Sequence, residues 1–387
     1  MKKIYFDHIA GGPVLKEARE AMLPYFTEKF GNPQSIHSWG NQTKDALEEA
    51  RGQVSDLIGA KADRVYFTAS GTESNNIAIK GIVKANKKKG NHIIISPIEH
   101  YSILHPVKTL EKEGFEVTQI GVDRYGRVDP GEIEKNLRDD TILVSVTTAS
   151  SEIGTIQPVK EIAGILNEKG IIFHTDAVAA AGQIAIDVEE SGVDALSLSA
   201  QSFYGPKGSA ALYLRKGVRS LPIIEGGIQE SGVRSGTENI PAIVGMGKAA
   251  EIGRNKMQER AEKLVPLRNR IIEELPQKTG NIYITGDRDN RLPGHVSFCV
   301  EYIEGEGMLL FLNTEGVAVS SGSACTSKAL KASHVLLACG IDQALAQGSV
   351  VLSMGIDNTV EDVNHFLEVF PPIVEKLRQM SPLYNGK

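Results

Sequence analysis

Sulfur is scarce in this chain: cysteine occurs only at 299, 325 and 339 among 387 residues. Three scattered thiols cannot form a disulfide framework or a zinc knuckle. Long apolar runs are also lacking, and none approaches the roughly 18 residues that a membrane span needs. Nor does charge of one sign dominate, with 42 Lys and Arg against 48 Asp and Glu. The resulting net charge of −6 gives no electrostatic reason to expect nucleic acid as a partner. The opening Met1-Lys-Lys-Ile-Tyr-Phe-Asp7 begins like a signal peptide, but Asp7 and His8 interrupt it before an apolar stretch forms. Internal repeats and low-complexity tracts are absent. The expectation is a cytoplasmic globular chain with no membrane and no nucleic-acid partner, its length suggesting two domains at roughly 150 residues each.

What is present is an alternation of short β-branched runs with longer amphipathic ones. Strands are predicted at Arg64–Thr68, His92–Ser96, Thr141–Val146, Ile171–Thr175, Ala195–Ser199 and Ala210–Leu214. Helical patterns fall between them at Asn75–Ala85, Ser102–Lys112, Val159–Glu168 and Val188–Ser191. Such alternation argues for an α/β sheet with helices on both faces, whose ligands sit just beyond the carboxyl ends of the strands. A long charged helical stretch from Asn239 to Glu274 links this part to a smaller one. That smaller part mixes short strands (Val296–Val300, Val317–Ser321, Ser349–Ser353) with a terminal helix near Val360–Gln379.

Several segments at predicted strand ends carry chemistry. Thr68-Ala-Ser-Gly-Thr72-Glu-Ser-Asn puts small residues where a strand turns into a helix, which suits either a phosphate or an ordinary helix cap. His174-Thr-Asp176 offers a carboxylate for a protonated heterocycle nitrogen, or a local hydrogen-bonded pair. His100 could stack on a flat ligand or cap the following helix. Lys207, in Gly205-Pro-Lys-Gly208, is a candidate amine nucleophile, though a solvated turn lysine is commoner. Ser320-Ser-Gly-Ser-Ala-Cys325-Thr-Ser sets a thiol among small residues, unlike Cys299 and Cys339, whose surroundings read as core. An exposed thiol is usable as a sulfur carrier or metal ligand.

Taken in order, these segments resemble the PLP-dependent cysteine desulfurases of the NifS/IscS type, in the class V aminotransferase group, over nearly the whole chain. The matching stretches include Phe30-Gly-Asn-Pro-Gln-Ser-Ile-His37, Ser70-Gly-Thr-Glu-Ser, Glu99-His100, Glu152-Ile-Gly-Thr-Ile-Gln-Pro158 and His174-Thr-Asp176-Ala. They continue through Tyr204-Gly-Pro-Lys-Gly208, Arg234-Ser-Gly-Thr-Glu-Asn239 and Ser320–Ser327. The resemblance implies PLP fold type I: a large domain, residues 13–258, with a mostly parallel seven-stranded sheet between helices. A smaller α+β C-terminal domain, residues 1–12 and 259–387, would carry the Cys325 loop. It further implies His100 stacking on the cofactor ring, Asp176 at the pyridine nitrogen, and Gly71, Thr72 and Ser199 around the phosphate. Thr237 would reach the phosphate of a neighbouring subunit, so a homodimer is expected.

The departures from the family pattern fall at the same site. The family's Schiff-base lysine is Ser202 here, and the preceding His is Gln201. The residues expected to contact the cofactor's phenolic oxygen are Ala179 and Ser151, and the carboxylate-binding Arg is Val351. Gly226-Gly-Ile228-Gln stands where the family has a third glycine. A hydroxyl cannot form an imine, so PLP, if held, would be held without covalent attachment. Lys207, five residues on and beyond a proline, is the family's structural lysine. The expectation is a degenerate desulfurase homologue in sulfur transfer and iron–sulfur cluster assembly. In it Cys325 accepts sulfur delivered as sulfide or persulfide, or ligates a cluster shared with an IscU-like scaffold partner. The alternative is an active desulfurase or C–S lyase that binds PLP non-covalently.

Overall fold

The structure is a computed structural model that describes residues 3–322, 332–382 and 384. Twelve strands are named among them. They are β1 (Ile4–Tyr5), β2 (Val65–Thr68), β3 (His92–Ile95), β4 (Glu116–Gln119), β5 (Thr141–Ser145) and β6 (Ile172–Asp176), followed by β7 (Ala195–Ser199), β8 (Ala210–Leu214), β9 (Ile282–Ile284), β10 (His295–Val300), β11 (Val317–Ala318) and β12 (Ser349–Ser353). Seven of them form one sheet in the order β2-β8-β7-β6-β5-β3-β4. Only β8 runs against its neighbours; the pairs β7-β6, β6-β5, β5-β3 and β3-β4 are parallel. The central strands are buried throughout, which explains the Ile/Leu/Val runs of β3 and β5, whereas β7, equally buried, alternates Leu with Ser.

Helices cover both faces of this sheet. One core joins Leu47, Val54, Phe67, Val144, Phe173, Leu198 and Met246; the other joins Ile79, Ile93, Ile95, Ile103, Leu143 and Leu212. Alternation along single strands sends Ile94 to the first and Ile93 and Ile95 to the second. The helix Ile240–Thr279 leaves this body, with Ile243, Met246 and Ala250 in the sheet core and Leu264, Ile271 and Leu275 in a separate one. That second core is completed by Val296 and Phe298 of β10, Val350 and Leu352 of β12, and Phe366 and Phe370 of the helix Val360–Met380.

Two elements depart from the sequence reading. Edge strand β4 has no alternating apolar face, its four residues being exposed or half-buried, so pattern alone does not mark it. The strand expected over Val317–Ser321 is paired only at Val317–Ala318, with Ser320 joining Val351 through an isolated bridge.

Candidate functional site

A cavity of about 480 Å³ opens where β2, β3, β5, β6 and β7 end, the position that an open parallel sheet reserves for ligands. The segment after β2 supplies Ser70, Gly71 and Thr72. Ser70 caps the helix Gly71–Asn76, its hydroxyl accepting from Glu73 N at 3.2 Å, while Glu73 Oε2 accepts from Ala69 N at 2.9 Å. Both readings of this segment therefore hold at once: the hydroxyl is a cap, and the cap faces the cavity. Gly71 is required there, because a Cβ would lie 2.5 Å from Val178 Cγ2.

Asp176, the last residue of β6, is buried at the cavity floor. Its Oδ2 accepts from Asn75 Nδ2 at 2.7 Å and its Oδ1 from Val178 N at 2.9 Å. Burial raises its pKa, against the opposing effect of these hydrogen bonds. His174, two residues earlier, is not its partner. The His174 ring bonds Ser145 Oγ at 2.9 Å and Ser197 Oγ at 3.1 Å, and burial holds it neutral with a pKa lowered to about 3. His100 caps the helix Tyr101–Lys112 through Nδ1, which accepts from Ser102 N at 3.1 Å, and its exposed ring still lines the cavity.

Ser199, Gln201, Ala179, Ser151 and Val351 also line the cavity, so the structure brings these positions together. Ser202 follows Gln201 in a tight 3-10 turn, Ala200–Phe203, and lines an adjoining recess of about 30 Å³ with Ala179, Gln183 and His295. Lys207 is turned away: exposed, its Nζ lies 3.4 Å from the Gly12 carbonyl. Thr237 is exposed on the segment leading to the helix Ile240–Thr279 and takes no part in lining the cavity. Cys325 lies outside the described residues. Cys299 and Cys339 are core thiols, each pushed up to about 12 by burial.

Sequence reasoning missed three lining residues as site members. Glu99 is fully buried; its Oε1 accepts from Ser96 Oγ at 2.6 Å and Thr147 N at 2.8 Å, and its Oε2 has no partner. Burial raises its pKa to about 8, so it is protonated at neutral pH. Glu152 accepts a hydrogen bond from Ser333, and burial raises it to about 7. Asn75 donates to Asp176 and to Ser102, leaving Oδ1 buried and unpartnered. Their signal was available: each sits within a few residues of a strand end already singled out. Among the described residues, neither Lys nor Arg lines the cavity.

The residues present fit part of a phosphorylated pyridine. Asp176 with Asn75 suits a protonated ring nitrogen, and the small residues at 70–72 with Ser199 leave room for phosphate oxygens. The aldehyde end does not fit, because no described lining residue carries an amine.

A class V aminotransferase family model matches residues 4–366. A cysteine desulfurase IscS of Methanosarcina thermophila is 52% identical over 99% of this chain and 94% of its own. Its counterpart in Dictyoglomus turgidum is 50% identical over 98% and 97%. Among solved structures, a NifS-like protein superposes with a TM-score of 0.90 at 36% identity, covering 97% of this chain and 99% of its own. The chain thus belongs to the class V aminotransferase family and, within it, to the cysteine desulfurases of the NifS/IscS type.

Proposed function

We propose that this chain serves sulfur transfer in iron–sulfur cluster assembly through Cys325, and that its cavity does not extract sulfur from cysteine by means of covalently attached PLP. The carrying observation is the cavity's inventory of charge: carboxyls and histidines, with no Lys or Arg among the described lining residues. Ser202 in place of lysine removes both the covalent anchor and the amine that would move protons at the substrate. Val351 in place of Arg removes the charge-assisted hydrogen bonds to a substrate carboxylate, about 1.5–3 kcal/mol by themselves. The names of the relatives support the sulfur-handling part of this reading.

In the proposed step the Cys325 thiolate attacks the outer sulfur of a donor persulfide. The donor's sulfur–sulfur bond breaks and its thiolate leaves, so the transfer is redox-neutral. Sulfide itself would need an oxidant to give a persulfide and is therefore not the donor proposed. The same thiolate can ligate cluster iron on a scaffold protein that leaves one position open. A homodimer is proposed with this, supported by the exposure of Thr237 on a segment the family uses across its interface. The division into 13–258 and 1–12 with 259–387 is supported by the separate apolar cores. A cytoplasmic location is proposed as well; no helix among the described residues is long and apolar enough to cross a membrane.

The retained Asp176, Asn75 and His100 favour a second reading, an active desulfurase that binds PLP non-covalently. Assaying alanine and sulfide release from L-cysteine with added PLP separates the two. The purified protein is expected to release neither, and alanine formation would overturn the first reading. Ser202→Lys is the comparison: activity there locates the loss at one residue, whereas silence spreads it over Ser151, Ala179, Gln201 and Val351. Cys325→Ala is expected to abolish assistance to cluster assembly on the cognate scaffold; unchanged assembly would overturn the role of the thiol.

A further inference from the structure

Glu152 stands on the cavity rim among residues from both sides of Cys325, with Gly322 before it in the chain and His334 after it. Buried Ser333 caps the helix His334–Ala338, its Oγ accepting from Val335 N at 3.1 Å and Leu336 N at 3.3 Å, and its hydroxyl donates to Glu152 Oε2. The same oxygen faces Gly322, where an added Cβ would lie 2.9 Å from it. Both flanks of residues 323–331 thus converge on one carboxyl oxygen. Other contacts fix each flank to a different element: Ser320 and Val351 exchange backbone hydrogen bonds at 3.1 and 2.7 Å, and His334 Nε2 bonds the Glu99 carbonyl at 2.9 Å. Glu152 instead joins one flank to the other.

We propose that Glu152 is a positioning residue for sulfur transfer, its carboxyl clasping Ser333 beside Gly322 and so holding together the two flanks between which Cys325 is carried. Tying the ends of a loop narrows the range its middle can visit, so releasing the clasp widens the reach of the thiol. Burial sets when release occurs. The clasped carboxyl is raised to about 7 from an ordinary 4.5, and the Ser333 hydrogen bond opposes that shift only in part. The clasp is therefore complete below about pH 4.5 and weakens as pH rises to 7, by at most about 300-fold. Glu99, His100, Asp176 and His334 share the cavity with Glu152, and Cys339, itself beside Asp123, feels its charge from the end of the helix. Burial and Ser333 are nonetheless the influences that set the Glu152 carboxyl. The proposal rests on the reading of Cys325 as the sulfur acceptor.

The test follows modification of the native thiol of the full chain by uncharged dithiodipyridine from pH 5 to pH 8, each rate divided by the thiolate fraction. Glu152→Gln keeps an oxygen for Ser333 and cannot ionise. In the unsubstituted chain the rate per thiolate is expected to rise between pH 5 and pH 7 and then level. In the glutamine form it is expected to stay flat, at least threefold lower at pH 8. Equal rates per thiolate, or a faster glutamine form, overturn the clasp, because a side chain that only fills space or only adds charge gives that result. Should the glutamine variant fail to fold, Ser333→Ala decides: a fast, pH-independent rate is expected, and a persisting rise between pH 5 and pH 7 overturns the proposal. Sulfur acceptance is then read by mass spectrometry after exposure to glutathione persulfide, and is expected to be slowed by Glu152→Gln in the same ratio at pH 8. Thiol kinetics that follow the clasp without sulfur appearing on Cys325 overturn the acceptor reading, while the clasp itself stands.

Discussion

Glu99 makes the buried electrostatics of the cavity measurable without any ligand. Its carboxyl is fully buried with a pKa near 8, against an ordinary value of 4.5. The folded chain thus holds this proton over a range in which the unfolded chain has lost it. Linkage then sets the sign: the stability associated with the group is complete below about pH 4.5 and is lost as pH rises toward 8. The slope between those limits is about 1.4 kcal/mol per pH unit. From pH 5 to pH 8 the loss integrates to roughly 3 to 4 kcal/mol, a large share of the 5–15 kcal/mol that holds an ordinary domain together.

Glu99→Gln removes the titration and keeps the shape. Its amide oxygen can accept from Ser96 Oγ and Thr147 N as Oε1 does now, and its NH2 occupies the place of Oε2. Urea midpoints of both proteins, measured from pH 5 to pH 8, give the test. At pH 5 the two are expected to agree within about 1 kcal/mol, as a neutral carboxyl and an amide have similar desolvation costs. By pH 8 the glutamine form is expected to be more stable by about 3 kcal/mol. The difference between the curves cancels whatever the two proteins share, including the titration of Glu152 and His295. Parallel curves, with a constant offset across the range, would refute the assignment of a strongly raised pKa to Glu99.

Glu230→Ala removes the partner of buried Arg51, to which Glu230 is bonded at 2.7 and 2.9 Å, and is expected to cost about 3–5 kcal/mol in a denaturation midpoint. Combining it with Arg51→Met should restore part of that loss, and full additivity of the two would refute the coupling. Gly71→Ala puts a methyl 2.5 Å from Val178 Cγ2, so a stability loss of about 1–3 kcal/mol is expected, together with weaker binding of phosphorylated ligands in calorimetry. Asp176→Asn is expected to lower the affinity of a ring-protonated ligand by about one to two decades, and to cost about 1–3 kcal/mol in the urea midpoint, because its NH2 is set against one of the two N–H donors, Asn75 Nδ2 and Val178 N, that the carboxylate accepts from. Native Cys325→Ala protein should show no thiol reactive toward a disulfide reagent at pH 8, since Cys299 and Cys339 are buried with pKa values near 12, and should react at both on unfolding.

The sheet was legible because strands buried on both faces read as apolar runs, as Ile93, Ile94 and Ile95 of β3 and Ile142, Leu143 and Val144 of β5 do. β4 was not, since an edge strand with no buried residue carries no such signal. The cavity was legible by rule rather than by contact: residues just beyond strand ends converge, whatever their identity. What sequence could not supply is which of those residues share a proton or lack a partner. The His174–Asp176 spacing invited a pair, yet adjacent strands draw His174 to Ser145 and Ser197 instead. Glu99 was passed over because nothing in a Glu-His dipeptide says that one side chain will be wholly buried and its neighbour exposed.

Strand alternation also explains how the cavity of such a fold can vary while the fold superposes closely on its relatives. In β12, Val350 and Leu352 enter the second core while Val351 between them faces the cavity. In β7, Leu198 packs into the sheet core and Ser199 lines the cavity. Residues that hold the fold and residues that meet the ligand are thus neighbours in sequence but lie on opposite faces of one strand. Exchanging an arginine for Val351 changes what the cavity can bind without opening a void in the apolar core. The turn bearing Ser202 shows the same separation: Phe203 is wholly buried in the sheet core, whereas Ser202 borders only the small recess. A change of side chain at 202 therefore alters the recess without withdrawing support from the core.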